Sequence, residues 1–384
     1  MNRYAVVGLL VLAFFAAQVA CGTSEDIFGS LKGVPNAGVT TWKKVDFDAE
    51  KDLVQPYFLF GDYQHFLTEP SYLIVEEQHY LFYEVVRTGS GGEAMQSAVY
   101  LAVSDDRFTW RVVGENEPVL TADQAWENGD VGAPSVLFVD GEFRMWYAGG
   151  GGSGVGLAVS ENGIDWTKQT DHPVLTSDQQ WEGGANGVVG APCVVRHKGV
   201  YKMYYSGGLV DEPSLAGRRG RAIGYAESDD GVQWRKRDGL GAAAASGEVE
   251  PVLTASEAWE GWTTHGGGGW VSGPSVLIEH PDERDVYRLY YTGNLVGDPV
   301  QCDASIGFAG SYDGLEWEKA AASVNPILAE IFPLSLPGIT KYLLYGEFAP
   351  SVLKKGDKYW MIFVQTDPLG AVQGLALAYN DGSP

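Results

Sequence analysis

Positive charge is scarce in this 384-residue chain: 26 Lys and Arg stand against 50 Asp and Glu, a net charge of −24. That balance excludes a nucleic-acid partner, because phosphate binding needs clustered cations that displace counterions. It also excludes electrostatic adsorption to anionic lipid. Cysteine is scarcer still, with only Cys21, Cys193 and Cys302 and no zinc-type spacing among them. Charged residues are 20 % and hydrophobics 45 %, ordinary for a folded soluble chain and incompatible with wholesale disorder. Glycine, at 51 residues, and aromatics, at 12 %, are plentiful, a mixture of turn formers and strand formers.

The N-terminus has its own composition. Met1 to Arg3 form a short positive segment, and Tyr4 to Ala17 an uncharged apolar run too short to span a bilayer comfortably. Residues 1–20 therefore read as a secretion signal. The run ends at Gln18-Val19-Ala20-Cys21-Gly22, which resembles the lipobox of bacterial lipoproteins, with Gln18 in place of the usual Leu-like residue. The expectation is an extracytoplasmic protein, lipid-modified at Cys21 and touching membrane only through that anchor, or else simply secreted. Residues 21–37 then form a linker. Cys193 and Cys302 are left, and an oxidising compartment lets such a pair join. Because Cys193 stands where Ser recurs in the repeats below, it reads as a small buried core residue.

Internal repetition dominates the rest. Five segments share one text: Glu69-Pro70-Ser71-Tyr72-Leu73, Ala133-Pro134-Ser135-Val136-Leu137, Ala191-Pro192-Cys193-Val194-Val195, Gly273-Pro274-Ser275-Val276-Leu277 and Ala349-Pro350-Ser351-Val352-Leu353. A polar turn and an aromatic-rich strand follow each, as in Tyr201-Lys202-Met203-Tyr204-Tyr205. A third strand leads into a Ser-x-Asp-Gly-x-x-Trp-like turn at Ser104–Trp110, Ser160–Trp166, Ser228–Trp234 and Ser311–Trp317. A fourth strand closes on Pro-Val-Leu or Pro-Ile-Leu, at Pro118, Pro173, Pro251 and Pro326. Four short strands per repeat in five repeats predict an all-β, five-bladed propeller over residues 38–384. The fifth repeat ends before its fourth strand, while Thr40-Thr41-Trp42-Lys43-Lys44 near the start matches fourth-strand text such as Trp166-Thr167-Lys168. The strand around Trp42 is therefore expected to complete the last blade and close the ring, which removes an open sheet edge.

Alternating strand direction puts the first-to-second and third-to-fourth turns on one face, where they are short. The second-to-third and blade-to-blade loops share the other face and are long and varied, which makes that face the working one.

Five proline-led inner strands, Met- and Tyr-rich second strands and four Ser-x-Asp-Gly-x-x-Trp-like turns resemble the five-bladed glycoside hydrolases. That superfamily holds arabinanases, β-xylosidases, invertases and levansucrases (families 43, 32 and 68), with the mannoside phosphorylases nearby, and the resemblance covers about residues 40–384. It implies an axial site for oligo- or polysaccharide in which carboxylates just before the inner-strand prolines serve as base, pKa modulator and acid. Two such groups flank a glycosidic bond, about 5–5.5 Å apart for retention or 6.5–9.5 Å for inversion. The equivalent positions here are Glu69, Ala133, Ala191, Gly273 and Ala349, so only the first blade keeps a carboxylate and the implied set is incomplete.

Glu69 is the candidate base or nucleophile. Asp130, four residues before Pro134, and Glu347, three before Pro350, are candidate acids, each with the alternative of a loop carboxylate bonding backbone amides. Trp126-Glu127, Trp181-Glu182 and Trp259-Glu260 recur at one repeat position and so read as inter-blade packing. Single-copy residues of the working face are candidate substrate contacts: Asp62, His65, Trp262, His265, Trp270 and Asp303. Trp262 and Trp270 either stack on a sugar or pack around Gly266–Gly269, and His265 is as well explained by a loop hydrogen bond. Arg218, Arg219 and Arg221 either grip an anionic sugar or lie solvated in their loop. No cofactor and no metal ligand set is implied, a cation in the axial channel is left open, and the expected state is a monomer. The competing reading is a non-catalytic glycan-binding or scaffold propeller.

Overall fold

Proline offers no N–H to a neighbouring strand and therefore suits the free edge of a sheet. All five proline-led strands lie at such an edge, facing the axis. A computed structural model of the chain describes residues 42–45, 65–87, 96–114, 117–208, 222–238, 248–260, 269–280, 284–294, 304–328, 330–336, 339–366 and 373–380.

Near the N-terminus lies a short strand, β1 (Lys43–Lys44). Blade one is the antiparallel meander β2 (His65–Val75), β3 (Gln78–Arg87), β4 (Gln96–Ser104) and β5 (Arg111–Val112). Blade two repeats it as β6 (Val131–Val139), β7 (Glu142–Gly149), β8 (Gly154–Ser160) and β9 (Thr167–Lys168). Blade three is β10 (Val188–His197), β11 (Val200–Gly208), β12 (Ala222–Ser228) and β13 (Arg235–Arg237), with β14 (Leu253–Thr254) also on β12. Blade four is β15 (Trp270–Glu279), β16 (Val286–Asn294), β17 (Ala304–Ser311) and β18 (Glu318–Lys319). A separate hairpin follows, β19 (Glu330–Leu336) with β20 (Ile339–Tyr345), and had no counterpart in the repeat text. Blade five is β21 (Glu347–Lys355), β22 (Lys358–Thr366) and β23 (Gln373–Asn380), and its outer strand is β1.

The fold is thus the expected five-bladed propeller, closed by the N-terminal strand. Lys43 pairs with Tyr379 and Lys44 with Ala378, and the Val45 N–H donates to the Leu377 carbonyl at 2.9 Å. Leu120, Leu175, Leu253 and Leu328 of the Pro-Val-Leu or Pro-Ile-Leu text each return to the outer edge of a third strand. The turns are held by their own Ser and Asp side chains, with Asn162 in place of Asp in blade two, and Trp110, Trp166 and Trp234 donate Nε1–H to backbone carbonyls within them. These tryptophans are structural, as their repetition suggested.

Five apolar clusters fill the seams between blades, each drawing on two neighbours. Trp146, fully buried, donates Nε1–H across the seam of blades two and three to Gly231 O at 2.9 Å. Nearer the axis a ring of hydrogen bonds joins all five inner strands. Ser71, Ser135, Cys193, Ser275 and Ser351 accept the N–H of Val136, Val194, Val276, Val352 and Tyr72, at 3.0, 2.8, 3.2, 3.0 and 2.9 Å. Cys193 is a free thiol in this ring, where burial pushes its pKa up to about 11.

On the face opposite the working one, His79 is 1 % exposed, with Nδ1 2.5 Å from the Tyr72 hydroxyl. Burial, aided by the Arg107 charge, lowers its pKa to about 4. The unfolded imidazole titrates near 6.5, so between those values only the unfolded chain binds the proton. Stability is therefore complete above about pH 6.5 and declines as pH falls toward 4. Urea denaturation of His79→Gln against the parent at pH 4.5 and pH 7.5 should show a flatter pH dependence in the variant.

Candidate functional site

At the working-face end of every inner strand the ladder skips two residues, the one before proline and the proline itself. The residue before proline adopts a left-handed backbone in all five blades: φ is 46° at Glu69, 45° at Ala133, 42° at Ala191, 55° at Gly273 and 50° at Ala349. Non-glycine residues hold this conformation at a cost of about 1–3 kcal/mol unless their surroundings fix it. Here the preceding blade does so. Glu84, Ser206 and Thr292, at one register position of the second strands, accept the N–H of Ala133, Gly273 and Ala349 at 3.0, 2.9 and 2.9 Å.

These five residues also crowd one another about the axis. A Cβ placed on Gly273 would lie 3.1 Å from Thr292 Oγ1 and 3.5 Å, an ordinary contact, from Ala349 Cα. Ala133 and Ala191 pack with Ala148 as one small cluster. Glu69 is the one ring member with a long, ionisable side chain, and it is half-buried. Beyond the ring, on the side away from it, a cavity of about 340 Å³ runs between the Pro-Ser-Val-Leu segments and is lined by no carboxylate. Glu69 thus belongs to the ring, and this cavity lies on the side of the ring toward the first-to-second-strand turns.

Asp130 sits at the start of β6, on the seam of blades one and two. Its Oδ1 meets the Ser97 hydroxyl of β4, and its Oδ2 accepts the Gly151 N–H at 2.9 Å. The Ser97 hydroxyl also lies 2.9 Å from the Val131 carbonyl. Burial pushes the Asp130 carboxyl above the usual aspartate range. The corresponding residues of the other blades are Phe66, Val188, Trp270 and Gly346, so this carboxyl is single-copy.

Glu347 has a different environment. It is fully buried and forms an ion pair with Lys44 of the closing strand. The other blades show what this pair replaces. Lys168, Lys236 and Lys319, each two residues after the turn Trp, lie 2.7, 2.6 and 2.6 Å from Glu127, Glu182 and Glu260. Those glutamates are fully buried and accept from the hydroxyls of Tyr147, Tyr205 and Tyr291. The same lysines sit 5.7, 5.6 and 5.7 Å from the three tyrosine rings. Lys44 lies 5.9 Å from Phe363, the matching ring of blade five. Glu347 therefore occupies the role of the Trp-Glu glutamates, which tie the loop before an inner strand to the second and outer strands of the same blade, while the paired Trp126, Trp181 and Trp259 pack in the clusters between blades.

Among the remaining candidates, Trp270 is 3 % exposed and belongs to the wall of blade four. The backbone of His65 opens β2, paired with Arg87. Asp62, Trp262, His265, Asp303, Cys21 and Cys302 lie outside the described residues, as do Arg218, Arg219 and Arg221. Among the described residues no cluster of His, Cys, Asp or Glu could hold a metal. Sequence reasoning missed Glu84, which is fully buried beside the ring. Its signal was a lone carboxylate in the otherwise apolar run Tyr80–Val86, where the matching residues are Ala148, Ser206, Thr292 and Val364.

Against solved structures, the protein aligns over 86 % of its length with 90 % of a glycoside hydrolase, at a TM-score of 0.60 and 20 % identity. A thermostable family-43 glycoside hydrolase aligns over 82 % of this protein and 89 % of its own length, with a TM-score of 0.54 and 19 % identity. An endo-1,4-β-xylanase from Bacteroides thetaiotaomicron covers 83 % and 92 % at a TM-score of 0.55 and 16 % identity. The fold is that of the five-bladed glycoside hydrolases. At such identities the likeness reaches no further than the fold. No family model matches the sequence. Two curated relatives are the uncharacterized proteins MT1551 and Rv1502 of Mycobacterium tuberculosis, 28 % and 27 % identical over 192 residues, or 47 % of this chain. The chain spans about half the length, 52 %, of each.

Proposed function

We propose that this propeller is a glycosidase of oligo- or polysaccharides, with Asp130 as general acid and Glu69 as base or nucleophile. The observation that supports it is the single-copy Asp130 carboxyl, held by burial above the usual aspartate range on the face where Glu69 stands in a ring of Ala and Gly. A raised pKa is what a proton donor to a leaving oxygen needs near neutral pH. A competing reading, a non-catalytic glycan-binding propeller, draws on Ala133, Ala191, Gly273 and Ala349, which leave Glu69 as the one carboxylate directly before an inner-strand proline. Export through residues 1–20, lipidation at Cys21 and a monomeric state complete the proposal.

A panel of 4-nitrophenyl furanosides and pyranosides, with oligosaccharides followed by calorimetry, separates the two readings. Turnover that is lost in Asp130→Asn supports the glycosidase. Saturable binding without turnover supports the binding protein, and neither binding nor turnover on any sugar sinks both.

A further inference from the structure

Gly273 is the one glycine among the five residues that precede an inner-strand proline, and hydroxyls surround it. Its N–H donates to Ser206 Oγ of blade three at 2.9 Å, and a Cβ built on it would meet Thr292 Oγ1 at 3.1 Å. Thr292 in turn accepts the Ala349 N–H at 2.9 Å. Ser272, just before Gly273, is the cross-strand partner of Thr292, so the two side chains share one face of blade four. Ser206, Thr292 and Ser272 are 1, 4 and 7 % exposed, which leaves little water to satisfy them.

The backbone does not require a glycine at this point. Its φ of 55° is close to the 42–50° that Ala133, Ala191 and Ala349 adopt in the other blades. Nor does the branch of Thr292 exclude alanine, because blade five fits Ala349 beside Val364, a side chain of the same shape at the same register position. Glycine here leaves a methyl-sized space among the three hydroxyls, as is found where a backbone must approach a ligand closely. Each hydroxyl carries one proton and two lone pairs. Ser206 and Thr292 use a lone pair on a backbone N–H and keep the proton. Ser272 keeps both, since its hydroxyl makes no hydrogen bond among the described residues. Burying such a group without a partner is costly, so a partner from outside the fold suits it.

We propose that Ser206, Ser272 and Thr292 around Gly273 form a subsite for the hydroxyls of one uncharged sugar unit. Sugar hydroxyls donate and accept, as this cradle does. None of its groups carries a charge to balance a uronate, in a chain of net charge −24. Blades one and four are not neighbours in the ring, which places the subsite across the axis from Glu69. The subsite rests on the carbohydrate reading of this face and does not require turnover.

The test is calorimetric titration of the whole protein with methyl glycosides of neutral pentoses and hexoses and with methyl glucuronoside. The expected result is saturable binding of a neutral glycoside, tighter than that of the uronate. Ser272→Ala should weaken it about three- to tenfold, the weight of one hydrogen bond, and Ser272→Thr should restore most of the loss. Gly273→Ala, which fills the space, should weaken it at least as much. Without sugar, Ser272→Ala should keep or raise the unfolding temperature, because it removes a buried hydroxyl that the fold does not use. A clear fall in that temperature would reveal a structural partner and overturn the proposal. So would binding of no glycoside, binding that neither variant weakens, or a preference for the uronate. Turnover with KM unchanged in both variants removes the subsite and leaves the glycosidase reading standing. Binding that both variants weaken, without turnover of any glycoside, keeps the subsite and removes the glycosidase.

Discussion

Deleting residues 38–48 is expected to lower the unfolding temperature on the order of 10 °C or more. Three losses coincide. Trp42, partly buried and edge-on to Tyr290 at 5.7 Å, leaves the cluster between blades four and five, at a cost below the roughly 3–5 kcal/mol of truncating a fully buried aromatic. The outer edge of β23 loses its pairing with β1. Glu347 keeps its buried carboxylate and loses the Lys44 ammonium, and removing one partner of a buried ion pair costs about 3–5 kcal/mol. Against a total stability of about 5–15 kcal/mol, these are not local effects. The point variants refine the argument. Lys44→Met alone should approach the deletion, whereas Lys44→Met with Glu347→Leu should recover most of the loss, because an apolar pair of similar volume leaves no charge to solvate. A urea series with unchanged slope would assign the difference to the native state. An unfolding midpoint unmoved by the deletion would mean that blades one and five hold together without the strand.

Ring closure was legible in the sequence because it is written in repeated text. Trp42-Lys43-Lys44 spells a fourth strand that the last repeat lacks, and five prolines spell five inner edges. What the repeats do not spell was harder to read. Glu347, three residues before a proline, looks catalytic by position, yet its partner Lys44 lies 303 residues away and becomes visible only once β1 is laid against β23. The substitution had a trace: blade five has no Trp-Glu pair and carries Phe363 where the other four blades carry Tyr83, Tyr147, Tyr205 and Tyr291. Glu84 was hidden for the opposite reason, as a single carboxylate inside an apolar strand with no repeat to mark it. Its hydroxyl counterparts Ser206 and Thr292 give it a backbone-holding role that pattern alone cannot assign. The hairpin β19–β20 fell in text between Pro-Ile-Leu and the last inner strand, where the repeat supplies no template.

Asp130→Asn and Glu69→Gln are each expected to reduce kcat by about 10²–10⁴-fold, the usual weight of a positioned acid or base. Neither should move the unfolding temperature by much, because an amide keeps one acceptor and the shape of the group it replaces. Glu347→Gln is the control that separates this site from the closing strand. It leaves Lys44 without its anionic partner, so the unfolding temperature should fall while the kcat of the folded enzyme stays near the parent's. The reverse pattern, lost turnover at full stability, would return the acid to Glu347. The pH profile makes the same division. An acid that must be protonated loses its function as pH rises through its pKa, so the alkaline limb of kcat/KM should lie at the raised midpoint of Asp130. Glu69 must be ionised, so the acid limb should lie below it. Because Ser97 and Gly151 touch Asp130, Ser97→Ala should shift the alkaline limb alone. A profile in which both limbs move together would mean that Glu69 and Asp130 titrate as one coupled pair.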